Sequence, residues 1–237
     1  MDNLPAYTPQ AISDVLPIYR PEGSDGHIHV YKLRQTSSST QTLTLHTDSG
    51  VPTSSYEIRT HKTGGFMNRR PHIVISASNS CYPIAEGRFD TNGTGTSIAH
   101  SDPLHTQRLE LENSQTQLLR TTIHGSDHWW QPHLGNNNVL ELTNETEEIV
   151  ARYISAAPVK RRTGSVAETR KTAVEMDLGE LHVVDALAGA DKGREEILCS
   201  AVVVIERASR RAMNMCGAGL KDPHCCGLSP STPGSYV

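Results

Sequence analysis

An uninterrupted apolar run near the C-terminus constrains the fold more than any other feature of this sequence. Residues 197–199 and 201–205 have almost no polar face, and neither Gly nor Pro occurs from Arg194 to Cys216. The β-branched residues in the run also suit a strand, but strands usually have about 5–6 residues, and this segment is much longer. The sequence therefore predicts a helix from Glu195 to Met213.

Charged residues at the two ends of this segment also favour a helix. Glu195 and Glu196 lie at its start, whereas Arg207, Arg210 and Arg211 lie toward its end, an order that complements the helix dipole. A helix that is apolar on all sides must be buried on all sides. In a chain rich in strands, we expect the strands to surround it.

Short runs of alternating apolar and polar residues fill the chain between His27 and the helix. Alternation with a period of two places one face of a strand toward a core and the other toward water. Turn residues separate the runs, for example Asp48-Ser49-Gly50, Gly135-Asn136 and Asp177-Leu178-Gly179. About ten strands at this spacing favour an antiparallel barrel or sandwich over alternating βαβ units.

The chain divides into three parts. Residues 1–26 are rich in Pro, Ser and acidic residues, and residues 215–237 are rich in Gly, Pro and Ser. Neither part has a periodic apolar pattern. The first is therefore expected to be a disordered arm and the second a disordered tail. Residues 27–214 form the expected β domain, whose size suits a single large all-β domain.

Composition argues against several functional classes. The net charge is −4 and the aromatic content is 5%, so nothing global attracts nucleic acid and few rings are present to stack on bases. Five cysteines, an odd number, and an N-terminus without signal-peptide features predict reduced thiols in the cytoplasm. The nucleus and the periphery of a membrane are the alternative locations. We expect a monomer without a transmembrane segment.

Two groups of residues suggest a metal site without satisfying its requirements. His124 and His128 would share a face only on a helix, which Gly125 and Pro132 disfavour, and His133 follows beyond them. A surface turn beside a tryptophan strand explains these histidines better. The second group lies in the tail and lacks a Cys-x-x-Cys pair; it comprises Cys216, His224, Cys225 and Cys226. We therefore expect neither a metal nor another cofactor.

No catalytic motif is present in the sequence. The chain lacks both a Gly-x-Ser-x-Gly elbow and a Gly-Lys-Ser/Thr phosphate loop. Cys199, inside the apolar run, is expected to be a buried and inert thiol. A barrel mouth can still gather His and Asp side chains from distant strands, so catalysis stays open, although the residues favour a protein that is not an enzyme.

Basic clusters are the first candidate binding feature. One consists of Lys160, Arg161, Arg162, Arg170 and Lys171 in a polar segment. A second cluster contains Lys62, Arg69 and Arg70. Such side chains donate hydrogen bonds to phosphate oxygens and support weak, salt-sensitive docking on anionic lipid. The alternative is that both are solvated hairpin loops.

A duplicated motif in the N-terminal arm is the second candidate. Pro5 and Tyr7 belong to one Leu-Pro-x-Tyr sequence, and Pro17 and Tyr19 to the other. Prolines around each tyrosine favour an extended polyproline II backbone, which is the form that WW domains bind. Two copies on one arm would bind with avidity. The alternative is an arm whose prolines only prevent regular structure.

The order of several motifs along residues 27–213 resembles that of the fungal tubby C-terminal-like proteins, which are related to the LURP-one group. The motifs are Ser55-Tyr56-Glu57-Ile58, Arg70-Pro71-His72-Ile73-Val74-Ile75, Ile84-Ala85-Glu86-Gly87-Arg88-Phe89, Asp127-His128-Trp129-Trp130, Glu148-Ile149-Val150-Ala151-Arg152-Tyr153 and the helix end Ile205-Glu206-Arg207-x-x-Arg210-Arg211. The resemblance implies a mainly β fold, an antiparallel barrel of about twelve short strands enclosing one hydrophobic helix. In tubby itself such a barrel binds phosphoinositides through basic side chains, which makes lipid binding a possibility for this chain.

Three functions follow as hypotheses. The first is a non-enzymatic tubby-like barrel that binds a phospholipid surface or a protein. The second is an adaptor that presents the Leu-Pro-x-Tyr motifs to WW-domain proteins. The third is an accessory protein or enzyme of a metabolic pathway, including secondary metabolism, with a small-molecule pocket in the barrel.

Overall fold

The fold was obtained as a computed structural model. It describes residues 27–46, 52–61, 71–90, 95–102, 104–113, 117–156, 176–185 and 191–217. The described chain forms twelve strands followed by one long helix, α1 (Asp191–Gly217). The strands are β1 (Ile28–Gln35), β2 (Thr40–His46), β3 (Pro52–Thr60), β4 (Ile73–Ala77), β5 (Pro83–Phe89), β6 (Gly95–His100), β7 (Thr106–Asn113), β8 (Leu118–Ile123), β9 (Ser126–His133), β10 (Asn136–Thr143), β11 (Ile149–Ser155) and β12 (Met176–Val184).

The strands form a closed antiparallel barrel. Each strand pairs with the next in the sequence, and β12 pairs with β1 to close the ring. Closure removes the unpaired edges that an open sheet would expose. The predicted fold class, a mainly β barrel of about twelve strands with one C-terminal helix, is confirmed.

The helix α1 occupies the interior of the barrel. Each of the eight residues from Ile197 to Val204 exposes at most 5% of its surface. Eight residues make more than two helical turns at about 3.6 residues per turn, so every face of this stretch is covered. Wall residues approach it closely: a Cβ added at Gly87 of β5 would lie 3.3 Å from Val203 Cγ2, and Trp130 Nε1 of β9 donates to Ser200 Oγ at 3.1 Å.

The helix boundaries differ from the sequence prediction. The helix extends from Asp191 to Gly217 instead of Glu195 to Met213. Arg207, Arg210 and Arg211 therefore do not form the last turn, and their compensation of the helix dipole is weaker than expected, because that effect acts mainly within the last turn. They lie where the helix leaves the barrel, and Arg210 contacts His61 and Phe89 at the ends of β3 and β5.

One predicted turn is a strand. Asp177, Leu178 and Gly179 lie inside β12, where Gly179 has a φ of +149° and the β1–β12 register shifts between Leu33 and Arg34. A Cβ at Gly179 would collide with the Ile154 carbonyl oxygen. The glycine thus serves close strand packing at a bulge, a role that local sequence does not distinguish from a turn. By contrast, Gly135 and Asn136 do separate β9 from β10.

The direction of the helix defines two ends of the barrel. At the entry end, where α1 begins, Arg194 Nη2 lies 2.6 Å from Asp185 Oδ1, just after β12. At the exit end, Arg210 Nη2 donates to the carbonyl oxygen of His61, just after β3, at 3.0 Å. No helix in the described residues is long and apolar enough to cross a membrane.

Candidate functional site

A buried carboxylate fastens the helix to the entry end. Glu196 is 2% exposed. Its Oε2 accepts a hydrogen bond from the backbone N–H of His124 at 2.9 Å, and its Oε1 lies 2.7 Å from His105 Nε2. The second contact is a close electrostatic one, since it lacks the alignment of a good hydrogen bond. Glu196 therefore links α1 to the β6–β7 and β8–β9 turns.

A second imidazole completes this cluster. Gln107 Nε2 donates to Thr121 Oγ1 at 3.0 Å, which orients Gln107 Oε1 toward His100 Nε2 at 3.3 Å. The neutral His100 ring thus carries its proton on Nε2, because an amide oxygen can only accept. Burial and the nearby His105 lower the pKa of His100. The ring is therefore neutral at neutral pH and contributes a buried, uncharged polar side chain next to His105.

The first turn of the helix has its own charged partners. Arg194 pairs with Asp185, whose Oδ1 also lies 3.2 Å from His29 Nε2. Burial, with a further contribution from Tyr56, raises the pKa of Tyr31 beside Arg194 to about 12. Its phenol is consequently neutral. These contacts hold the start of α1 against β1 and β12.

The polar contacts at the entry end attach the start of α1 to the barrel wall; together they are called the clamp below. Its carboxylates face arginine, histidine or backbone N–H groups. The Cys199 thiol is fully buried, and burial strongly raises its pKa, so it stays protonated and inaccessible. The expectation of a buried and inert cysteine is confirmed.

Replacing Glu196 with Gln tests this clamp. We expect Glu196→Gln to lower the free energy of unfolding by about 1–3 kcal/mol. The reason is that a neutral amide replaces the carboxylate that faces His105 in a buried site. Urea unfolding followed by circular dichroism would measure the change. The matched control is Glu195→Gln, since Glu195 is 37% exposed and should cost less than about 1 kcal/mol. Equal losses for the two variants would show that Glu196 has no special role.

The exit end carries positive charge from α1. Arg207, Arg210 and Arg211 are gathered there, and the Arg210 guanidinium lies 4.8 Å above the Phe89 ring. Burial and the charge of Arg211 lower the pKa of Arg207. Burial, followed by Arg210 and Arg88, lowers the pKa of His72. In both cases burial is the larger cause, and the neighbouring basic groups act in the same direction.

The cations on the outer wall of the barrel are paired with carboxylates. Seven described lysine and arginine residues of the wall each have a carboxylate partner on the same or a neighbouring strand. The pairs are Lys32–Glu180, Arg34–Asp177, Arg59–Glu57, Arg88–Glu86, Arg108–Glu110, Arg120–Glu110 and Arg152–Glu141. Such pairing leaves little net field along the wall. On α1 at the exit end, three arginines accompany one carboxylate: Arg210 Nε lies 2.7 Å from Glu206 Oε1, and Arg207 is buried. This end of the helix therefore carries a net positive charge.

The basic clusters identified in the sequence lie outside the described residues. They comprise Lys160, Arg161, Arg162, Arg170, Lys171, Lys62, Arg69 and Arg70. The structure does describe the strand ends that flank them. Strands β11 and β3 end at the exit end, and strands β12 and β4 begin there. In the sequence alone, these clusters and the helix arginines are separate features. Strict up-and-down strand order was the signal that relates them.

The arm motifs with Pro5, Tyr7, Pro17 and Tyr19 also lie outside the described residues. The first described residue, His27, is at the entry end, where its carbonyl oxygen accepts a hydrogen bond from Asp185 N. The arm therefore joins the barrel at the end opposite to the helix arginines.

The three histidines near the tryptophan pair do not converge. His124 lies in the β8–β9 turn with a φ of +52°, His128 is buried in β9, and His133 at the far end of β9 lies 3.1 Å from Glu141. Within the described ranges, no three His, Cys, Asp or Glu side chains are placed to hold a metal ion. The tail residues His224, Cys225 and Cys226 are not among the described ones, nor is the side chain of Cys216.

Comparison with protein-family models, with characterised proteins and with solved structures gives no match.

Proposed function

We propose that this protein is a non-enzymatic binding module of the tubby-like type, which docks on anionic phospholipid through the exit end of its barrel. The observation that carries the proposal is the net positive charge of α1 at the exit end, where Arg207, Arg210 and the partly exposed Arg211 accompany a single carboxylate of the helix, Glu206. The filled interior also supports it, since α1 occupies the space that a ligand would need inside the barrel.

The opposite ends of the helix differ in charge, which favours one orientation on a membrane. The entry end carries four carboxylates against two basic residues, Lys192 and Arg194; the carboxylates are Asp185, Asp191, Glu195 and Glu196. An anionic surface attracts the arginine end and repels the carboxylate end, within a Debye length of about 8–10 Å. Each basic residue near such a surface contributes about 1 kcal/mol, so the binding is weak, reversible and sensitive to salt.

Vesicle sedimentation tests the proposal. We expect the full chain to bind vesicles of phosphatidylserine and phosphatidylcholine but not phosphatidylcholine alone, and to dissociate as salt is raised. Arg211→Glu should reduce binding about ten-fold or more, because the reversed charge changes the docking energy by roughly 2 kcal/mol. Replacing Lys160, Arg161 and Arg162 together by Ala should also reduce binding.

The matched control is Lys192→Glu, since Lys192 is exposed in the first turn of α1 at the entry end. It changes the net charge as Arg211→Glu does, and it should leave vesicle binding nearly unchanged. Equal loss in both variants would mean that only net charge matters. Binding that ignores salt and all of these substitutions would rule out the exit end as the docking surface.

The adaptor is a second proposed function, which the docking proposal accommodates. His27 lies at the entry end, so the arm is joined to the barrel at the end opposite to the proposed docking surface. Binding of WW domains to the Leu-Pro-x-Tyr motifs is therefore compatible with docking at the exit end. The accessory role in a metabolic pathway remains a third proposal.

A further inference from the structure

A notch interrupts the rim of the barrel at the entry end. Strand β2 pairs with β3 from Pro52 onward, whereas β4 pairs with β3 only from Tyr56 onward. The first residues of β3 thus have a strand on one side only. Beside them lies the β4–β5 turn, where Ser78 N donates to the Ser55 carbonyl oxygen at 2.9 Å and the two serine hydroxyls lie 2.7 Å apart.

A cavity of about 470 Å³ occupies this notch. Small-molecule sites commonly have volumes of about 300–1,000 Å³, so the space is adequate for a small ligand. The residues that line it come from β2, β3 and the β4–β5 turn; they are Thr44, Ser54, Ser55, Tyr56, Ala77, Ser78 and Asn79. It is separate from the barrel interior, which α1 fills, and from the arginines of the exit end.

The lining selects for a neutral ligand with several hydroxyl groups. Four aliphatic hydroxyls and one amide lie along it, and none of the seven residues is charged. A charged ligand would lose water without gaining a counter-charge from the lining, and an apolar ligand would leave the hydroxyls without partners. Each hydroxyl both donates and accepts. A ligand that also does both can replace the water it displaces.

The aromatic residue in the lining agrees with this chemistry. Burial, followed by the charge of Glu195, raises the pKa of Tyr56, so its phenol is neutral and can both donate and accept a hydrogen bond.

We infer that this rim cavity is a binding site for a neutral sugar of one or two rings, recognised by Thr44, Ser54, Ser55, Ser78 and Asn79. The expected affinity is weak, because the cavity is open and its polar groups are well hydrated without a ligand.

Titration of the full chain with D-glucose, D-galactose and maltose, followed by backbone amide NMR, tests the inference. We expect at least one sugar to shift the amide signals of Ser55 and Asn79 with saturation. Thr44→Val and Asn79→Ala should each weaken binding about three- to ten-fold, which is the loss expected for one hydrogen bond. Glucose 6-phosphate provides a charged comparison and should bind no better than glucose at this site.

Thr42→Val is the matched control. Thr42 lies two residues before Thr44 on the same outward face of β2 and is not part of the lining. Thr42→Val removes one hydroxyl from β2, just as Thr44→Val does. It should leave sugar binding unchanged, because Thr42 does not line the cavity. The absence of saturable shifts with all three sugars would overturn the inference. Equal weakening by Thr42→Val and Thr44→Val would overturn it as well.

Discussion

Val203→Asp is expected to unfold the barrel. Val203 is 1% exposed and lies against Gly87 and near Ile73 of the wall. A carboxylate there would be shut off from water in an apolar core, and burying a charge in such a place costs about 4 kcal/mol or more. Domains are typically stable by about 5–15 kcal/mol. Circular dichroism and a thermal melt should show loss of most cooperative folding at 25 °C or a melting temperature lowered by well over about 10 °C.

The control is Ala208→Asp, five residues further along the same helix. Ala208 is exposed, so its carboxylate stays hydrated and the fold should persist with a change within about 0.5 kcal/mol. A stable, cooperatively folded Val203→Asp protein would refute the placement of α1 inside the barrel. Loss of folding in both variants would instead indicate that any added acid disrupts the helix.

Trp130→Ala should cost about 3–5 kcal/mol, the range for removing a large buried aromatic side chain. Trp130 is 1% exposed, and its indole N–H donates to Ser200 Oγ in the middle of α1. The substitution leaves a cavity between the wall and the helix, and it also removes the hydrogen bond that fixes their relative position. The midpoint of urea unfolding should fall accordingly.

Its neighbour is the natural comparison for this substitution. Trp129 points outward from the same strand, is only partly buried, and donates to Glu112 on the barrel surface. Trp129→Ala should therefore cost about 1 kcal/mol or less. If Trp129→Ala were as damaging as Trp130→Ala, the assignment of inner and outer faces in β9 would be wrong.

Much of the fold was predictable because local patterns carry it. Alternation in segments such as Leu43 and Leu45 specifies a strand with one buried face. The uninterrupted apolar run around Val203 specifies a helix that is buried on every side. Local patterns gave the wrong role for Gly179. This glycine does not form a turn; it allows a close contact with Ile154 across the sheet. That contact joins residues far apart in the chain, so no short window contains it.

The candidate sites depended on tertiary structure to a greater extent. Glu196 and His105 lie 91 positions apart in the sequence, and nothing local relates them before the barrel brings β6–β7 over the start of α1. The rim cavity exists because β4 ends short of β3 on its entry side, a difference in strand length that alternation does not reveal. Side-chain type indicates possible chemistry, whereas the register of neighbouring strands decides which side chains meet.

The apolar helix near the C-terminus shows where the division lies. By itself, the sequence determined that residues 197–205 form a helix without a polar face and that strands must enclose it, since hydrophobic burial follows from composition and period. Only the tertiary structure decided which way the helix runs through the barrel. Its direction follows from pairing of Arg194 with Asp185 at one end and contact of Arg210 with Phe89 and His61 at the other. Those long-range contacts place an excess of carboxylates at one end of the molecule and an excess of arginines at the other.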